Sequence, residues 1–398
     1  MVDIHNYKKR LERTLEKVKN SNISKQNKKD IFDFHNFCFS IGIGHAKIQR
    51  YVFDLEKIAG LLKKDFRKCK KGDIQKIIIE LEKTDYSPET KRGLRIALKK
   101  FFKWLRGTED KGVYPEEVKW ISTTNKNNNH KLPEDLLTEE EIIQMINYAK
   151  NERDKAFISV LYESGCRAGE ILTLKIKNIS FDELGAKITV SGKTGSRRIR
   201  LVSSEAYLKE WLNKHPDKDN PEAFVWVREN SKDELVGYTR VRQLLSKIAK
   251  KSGVKKSVNP HSFRHARASY LANFLTEAQL KEVFGWTQAS KMASIYVHLS
   301  GRDTDKAILK VYGKKLKDEK DTKSLLTPKV CPRCKTTNEA TNIFCKRCGI
   351  PLDEKTRNEI IKQEIERKES DKVMNELVKD KEILKLLIEK IKKLRLVK

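Results

Sequence analysis

The chain of 398 residues has no apolar run that approaches the roughly 20 residues needed to cross a bilayer. Its first stretch, MVDIHNYKKRLERTLEKVKN, also lacks the apolar core of a signal peptide. Three of its seven cysteines are scattered singly and four are clustered, which is not the pattern of a secreted disulfide scaffold. No fixed-period repeat is present. We therefore expect a soluble cytoplasmic protein with no membrane partner.

Acidic residues are too few to balance the basic ones. The chain has 85 Lys+Arg against 55 Asp+Glu, which gives a formal charge of +30. This excess goes beyond what solubility needs and indicates a polyanionic partner. Neutralisation of phosphates by such a chain releases counterions, so nucleic-acid binding would depend steeply on salt. A generally basic proteome or a ribosomal partner would also explain the charge.

The pattern of apolar residues divides the chain into several segments. Apolar positions recur at helical spacing over the first hundred residues, and the stretch NKNNNHKLP shows no periodicity. The later part mixes helices with one strand pair, so we predict a mainly α fold with a small β-sheet. The predicted segments are 1–110 (helical), 111–136 (linker), 137–312 (α+β), 313–329 (linker), 330–352 (cysteine-rich) and 353–398 (C-terminal helix).

One helix of the first segment, in ETKRGLRIALKKFFKWLRG, has cations around an apolar stripe. We expect the apolar side to pack and the basic side to lie on phosphates. The cations are Lys91, Arg92, Arg95, Lys99, Lys100 and Lys103.

Two stretches of the α+β segment place single cations in turns. In LYESGCRAGEILTL, Gly165 and Cys166 break a helix just before Arg167, whose forked donors suit two oxygens of one phosphate. The alternating stretch ITVSGKTGSRRIRLV predicts a β-hairpin with Lys193 at its tip. Taken singly, Arg167 is explained as an ion-pair partner of Glu170, and Lys193 as a turn residue.

The stretch NPHSFRHARASYLA predicts a helix that begins near Pro260 and places His261, Arg264 and His265 on one face. This face is a candidate anion site. Farther along, VFGWTQASKMASIYVHLS supplies Trp286 after a glycine and Tyr296 near the end of the segment. Alone, Trp286 is explained as a core residue and Tyr296 as an amphipathic surface residue.

Taken together and in this order, the Arg, the hairpin Lys, the HxxR motif, the Trp after Gly and the Tyr resemble the tyrosine recombinase family, also called phage integrase or Xer-like. The resemblance covers roughly half of the chain. It implies an α+β catalytic domain, preceded by a helical, SAM-like core-binding domain that closes a clamp on duplex DNA. The catalytic residues that it implies are Arg167, Lys193, His261, Arg264, Trp286 and the nucleophile Tyr296.

The resemblance also implies a mechanism. Tyr296 attacks the scissile phosphorus to give a 3′-phosphotyrosyl link, so no ATP or catalytic cofactor is needed. Arg167 and Arg264 stabilise the phosphate charge, and Lys193 protonates the departing 5′-oxygen. We expect His261 to assist Tyr296, by accepting its proton or by orienting it, and His265 to be structural.

Two features depart from the usual family pattern. The GW pair replaces GH, which removes a titratable group, and the gap between Trp286 and Tyr296 is one residue longer than in bacterial Xer members. The variant is similar to archaeal integrase-like members. Because an indole N–H can donate to a phosphate oxygen but cannot shuttle a proton, other residues must carry the acid-base work.

The four clustered cysteines follow the pattern CxxC, ten residues, CxxC. Two such pairs predict a structural zinc site in a small ribbon, with no open coordination position for catalysis. The predicted ligands are Cys331, Cys334, Cys345 and Cys348. The ribbon's basic residues suit DNA contacts, although a protein-protein role is nearly as plausible.

The sequence thus predicts a site-specific recombinase that acts on double-stranded DNA as a homotetramer on paired sites. The unusual length slightly favours integration of a mobile element. Two alternatives stay open: a type IB topoisomerase with the same residue types, and a DNA-binding regulator derived from an integrase. The second alternative predicts the loss of a catalytic residue, and none is missing.

Overall fold

The computed structural model describes residues 3–108, 110, 112–124, 135–192, 194–228, 237–299, 312 and 324–393. Contacts within the chain divide it into two compact units, residues 1–131 and 132–398. Within the described ranges, no helix is both long enough and apolar enough to span a membrane.

The first unit is helical, as predicted, and its helices surround an aromatic core. Phe34, Phe66 and Phe101 are fully buried, with ring centroids of Phe66 and Phe101 4.7 Å apart and those of Phe34 and Phe101 5.3 Å apart. Edge-on contacts of this kind stabilise the core beyond simple burial of apolar area. The helices are α1 (Tyr7–Asn20), α2 (Lys25–Ser40), α3 (His45–Leu62), α4 (Lys71–Lys83) and α5 (Pro88–Leu105).

The basic face of α5 has partners within its own unit. Arg95 pairs with Glu82, Arg92 Nε donates to Thr123 O at 2.8 Å, and Lys99 Nζ donates to Ile121 O at 3.0 Å. Lys99 also lies over the Tyr114 ring, 4.3 Å from its centroid. Arg92 and Lys99 therefore fasten the chain that follows α5, and Arg95 joins α5 to α4, roles that the amphipathic pattern did not predict.

The second unit begins with mixed α and β elements. They are α6 (Glu139–Tyr148), α7 (Glu152–Ser164), α8 (Ala168–Leu172), β1 (Ile179–Asp182), β2 (Gly185–Gly192), β3 (Gly195–Leu201), α9 (Glu205–Asn213), α10 (Tyr238–Lys251), α11 (Pro260–Ala272), α12 (Glu277–Phe284) and α13 (Met292–Leu299). Helix α7 is buried along most of its length and packs against α6, α9, α11 and β3.

The three strands form an antiparallel sheet in the order β1-β2-β3. Ser191 pairs with Ser196 and Gly192 pairs with Gly195, which confirms the predicted hairpin around GKTG. Gly195 has φ of +100°, a backbone conformation that favours glycine. Lys193, the predicted catalytic residue of this turn, lies outside the described residues.

From residue 324, the described chain continues with the cysteine-rich segment and two helices. A short strand pair, β4 (Lys329–Val330) and β5 (Thr337–Asn338), is followed by α14 (Glu354–Leu377) and α15 (Lys381–Lys393). The C-terminal segment is thus helical, and a short break divides it into two helices. Asp380 separates α14 from α15. Its carboxylate accepts the backbone N–H of Glu382 at 2.8 Å and caps the start of α15.

Candidate active site and four-cysteine cluster

Arg167 emerges from a sharp turn between α7 and α8. Gly165 ends α7 with φ of +55°, and a Cβ at this position would lie 2.4 Å from the Phe284 ring, so the turn requires glycine. The guanidinium of Arg167 donates to Glu170 Oε1 at 2.9 Å and to Gly285 O at 3.0 Å. Its side chain is still 39% exposed, so it can meet a ligand from solution.

Glu170 holds two arginines at once. Its carboxylate also accepts both terminal nitrogens of Arg197, at 2.9 and 3.0 Å, while Arg197 Nε donates to Val283 O at 2.8 Å. Burial alone would raise the pKa of Glu170, but the hydrogen bonds and charges of Arg197 and Arg167 outweigh it and bring the pKa to about 2. Glu170 is therefore an ionised support that joins α8, strand β3 and the end of α12.

Arg264 lies on α11 and is only 4% exposed. It donates to Gly165 O at 2.9 Å and to Phe284 O at 2.7 Å, and its guanidinium carbon lies 5.4 Å from the centroid of the Trp286 ring. Burial, followed by the positive charge of Arg167, lowers the pKa of Arg264 to about 10. The side chain stays cationic at neutral pH, and an anion beside it would offset both unfavourable effects.

Tyr296 lies on α13 and is 4% exposed. Its ring is parallel to that of Trp286, with an interplanar angle of 4° and centroids 5.6 Å apart. Trp286 in turn stacks on Phe284 at 4.9 Å. Burial raises the pKa of Tyr296 to about 12, although the charge of Arg264 opposes the change. The phenol is thus held in one orientation and kept protonated at neutral pH.

Two histidines of α11 extend this arrangement. His265 Nδ1 is hydrogen-bonded to the hydroxyl of Tyr296, and the His261 ring packs edge-on against His265 with centroids 4.2 Å apart. His261 lies in the first turn of the helix, which begins there because Asn259 Oδ1 accepts the N–H groups of His261 and Ser262. His261, Arg264 and His265 lie along one side of α11, as their spacing predicts.

The structure therefore connects five of the six predicted catalytic residues through shared contacts. Arg167 and Arg264 both bind carbonyls of the turn after α12, Trp286 follows that turn, and Tyr296 stacks on Trp286. The sixth, Lys193, lies outside the described residues. Sequence reasoning missed Arg197 and did not predict the contact between His265 and Tyr296. The four-residue spacing from His261 was the available signal for His265, whereas nothing local marked Arg197.

The four cysteines of the C-terminal segment also come together. Their sulfur atoms all lie within 4.8 Å of one another, with Cys331 and Cys348 Sγ 3.5 Å apart and Cys334 and Cys345 Sγ 3.6 Å apart. Four sulfurs about 2.3 Å from a tetrahedral zinc ion would be separated by just under 4 Å, so the donor set fits that metal.

Two matching turns build this cluster. Lys335 and Gly349, each just after the second cysteine of its pair, have φ of +56° and +72°. Their N–H groups donate back to the carbonyls of Cys331 and Cys345, at 3.0 and 2.9 Å. The segment packs on the rest of the second unit through a hydrogen bond between Tyr207 Oη and Thr341 Oγ1 of 2.7 Å.

Comparison with known proteins identifies similar chains of one family. The model of the phage integrase family matches residues 135–303. A tyrosine recombinase of Thermosipho africanus is 29% identical over 66% of this chain and 92% of its own length. Tyrosine recombinase XerA of Pyrococcus horikoshii is 31% identical over 60% of this chain and 79% of its own length.

Among solved structures, the fold is similar to a lambda integrase tetramer bound to a Holliday junction, with a TM-score of 0.53 and 16% identity. The match covers 71% of this chain and 80% of that one. The shared fold, the XerA similarity and the connected Arg, Arg, Trp and Tyr residues lead to one conclusion: this chain belongs to the tyrosine recombinase family.

Proposed function

We propose that this recombinase cleaves double-stranded DNA with Tyr296 as nucleophile and rejoins it to a partner strand. The observation that carries the proposal is the turn between α12 and Trp286. Its carbonyls at Phe284 and Gly285 hold Arg264 and Arg167, and the same turn leads to the indole on which Tyr296 stacks. Any shift of this turn would therefore move Arg167, Arg264 and the Trp286 ring together.

The chemistry follows from the residues at this turn. Attack by Tyr296 Oη on the scissile phosphorus forms an Oη–P bond and breaks the P–O5′ bond, so the phosphodiester is exchanged and not hydrolysed. Arg167 and Arg264 stabilise the charge on the non-bridging oxygens, because their guanidinium groups are already fixed by backbone carbonyls. Trp286 donates an N–H to the phosphate and supports the tyrosine ring.

The remaining two residues act in proton transfer or in orienting the tyrosine. We assign Lys193 as the general acid for the departing 5′-oxygen, since it directly precedes Thr194 in the sequence, and the hydroxyl of Thr194 donates to Gly285 O at 3.0 Å. His261 assists Tyr296, as a proton acceptor or as an orienting group. A 5′-hydroxyl of a second strand then attacks the phosphotyrosyl bond in the reverse direction, so neither ATP nor a catalytic cofactor is consumed.

The assembly and the metal belong to the same proposal. The lambda integrase structure is a tetramer on a Holliday junction, and the fold it shares with this chain supports a homotetramer on paired duplexes. Four thiolates would fill the coordination shell of a tetrahedral ion and leave no open position for catalysis. This supports a structural zinc, held by Cys331, Cys334, Cys345 and Cys348. The zinc would stabilise the ribbon and takes no part in the strand exchange.

A covalent-adduct assay tests the function. The full chain and Tyr296→Phe are incubated, without magnesium, with supercoiled plasmids that carry the genomic locus flanking the gene for this chain. Denaturing gels should show an adduct with the wild type alone, and joined products from two plasmids. Relaxed plasmids without joined products would support a topoisomerase instead. Tight binding by the wild type with no adduct would support the regulator and overturn the catalytic assignments.

A further inference from the structure

The Tyr296 hydroxyl needs a proton acceptor at close range. With a pKa of about 12, roughly one phenol in 10⁵ is ionised at pH 7, so nearly every attack must begin with loss of a proton. A base serves this step only within hydrogen-bonding reach of the oxygen. The question is which side chain of this chain meets that requirement.

The side chains around the tyrosine differ in their ability to accept a proton. Trp286 covers one face of the ring, but its indole has a donor and no acceptor. Arg264, whose charge acts on Tyr296, is also a donor only. His265 is different, because Nδ1 of its ring is hydrogen-bonded to Tyr296 Oη itself.

The surroundings of His265 fix its ring. It lies one helical turn after His261 on α11, half-buried, with the more exposed His261 ring against it at 4.2 Å and an interplanar angle of 75°. The Tyr296 ring also lies near it, with centroids 5.8 Å apart. A histidine beside two rings, with one nitrogen on the reacting oxygen, is oriented before the substrate arrives.

We propose that His265 is the general base that takes the proton of Tyr296 during strand cleavage. This inference rests on the proposed function, in which Tyr296 is the nucleophile. It makes His265 a catalytic residue, since it touches the reacting oxygen, and it leaves His261 with the orienting role. The hairpin lysine, the arginines and the indole keep the parts described above.

The step balances without any co-reactant. In the neutral His265 ring, the proton sits on Nε2 and the Nδ1 lone pair accepts the phenol proton, which gives an imidazolium. The Tyr296 oxygen forms its bond to phosphorus, and the 5′-oxygen leaves with a proton from the general acid. In the rejoining step, His265 returns its proton to Tyr296 as the phosphotyrosyl bond breaks.

The test separates proton acceptance from orientation. The cleaved site is first mapped by sequencing the genomic DNA that wild type captures covalently, and a duplex oligonucleotide with that site serves as the probe. His265→Asn keeps an acceptor oxygen near the position of Nδ1 but cannot take up a proton. We expect adduct formation at least about 100-fold slower than wild type, with unchanged DNA binding in gel shifts. His265→Gln is the second variant, in case the first does not fold.

A more acidic nucleophile should compensate for the missing base. With 3-fluorotyrosine at position 296, the His265→Asn chain should recover adduct formation tenfold or more, while the otherwise wild-type chain changes by less than threefold. A purely orienting His265 predicts no selective recovery. His215→Asn is the matched control, a buried histidine bonded to Phe224 O, and it should lower the melting temperature without slowing the adduct.

Each result has a defined meaning. The proposal is overturned if His265→Asn forms adduct as fast as wild type or faster, since a faster reaction would make the contact a restraint on Tyr296. It is also overturned if fluorination restores nothing. Failure of the proposed function is recognised separately, because the wild type would then form no adduct, or Tyr296→Phe would still form one, whatever the behaviour of His265.

Discussion

The active site and the cysteine cluster are built in opposite ways. The cluster draws its four donors from residues 331–348, and two local turns orient them. The active site draws on α8, α11, the turn after α12 and α13, and its arginines are held by carbonyls about 20 to 118 positions away in the sequence. Two local turns therefore suffice to bring four cysteines together, whereas the candidate active site requires the elements from α7 to α13 to fold together.

The largest effect should come from removing the metal. Structural zinc sites contribute about 10 kcal/mol of apparent binding free energy, so Cys345→Ser should unfold the ribbon locally. Hydrogen exchange should show loss of protection at the amides of Lys335 and Gly349, while α7 and α11 keep theirs. Cys38→Ser, at a buried cysteine of the first unit, is the control. Protected ribbon amides in a metal-free chain would contradict the proposed site.

The next largest effect should come from Arg264→Lys, in the candidate active site, whose contacts join residues far apart in the sequence. A lysine cannot bind Gly165 O and Phe284 O at once and offers no forked pair of donors to a phosphate. We expect adduct formation to fall about 1000-fold, with DNA binding changed little. The exposed Arg240→Lys is the control and should react at the wild-type rate. Equal rates for both variants would remove Arg264 from the site.

Sequence reasoning succeeded where the signal was local. The CxxC pairs predicted that all four cysteines come together. The hairpin pattern predicted the turn at Gly195, and the helix break predicted the turn at Gly165. The break between α14 and α15 was not predicted, because helical periodicity carries no sign of the cap that Asp380 forms.

Contacts between residues far apart in the sequence were harder to predict. The order of Arg167, Arg264, Trp286 and Tyr296 indicated the site through resemblance to a family. The two arginines are held by backbone carbonyls, and Arg167 also by the carboxylate of Glu170, which binds Arg197 on β3. Backbone carbonyls have no sequence signature, so no pattern could have indicated them.

A smaller effect should appear in acid, at Glu170. Its folded pKa of about 2 lies below the unfolded value, so ionised Glu170 stabilises the fold above about pH 4.5. The contribution, about 3 kcal/mol at most, is lost as pH falls towards 2. Urea unfolding of wild type should show this loss, and Glu170→Gln should show a flatter pH dependence. Exposed Glu282→Gln should behave as wild type.

The smallest effect should come from Tyr207→Phe, which removes the hydrogen bond between Tyr207 and Thr341 that fastens the ribbon to α9. One neutral hydrogen bond contributes about 1 kcal/mol, so hydrogen exchange in the ribbon should quicken about fivefold. The metal content should stay at one ion per chain, because the cysteines orient themselves locally. Loss of the metal in this variant would show that the ribbon depends on its docking surface.

The most direct measurement is the identity of the residue that becomes linked to DNA. The covalent adduct formed by the full chain is digested with protease and nuclease, and the linked peptide is sequenced by mass spectrometry. We predict a nucleotide joined to the hydroxyl of Tyr296, in the peptide that contains MASIYVHLS. A nucleotide on any other residue, or an adduct that persists in Tyr296→Phe, would contradict the assignment of this site.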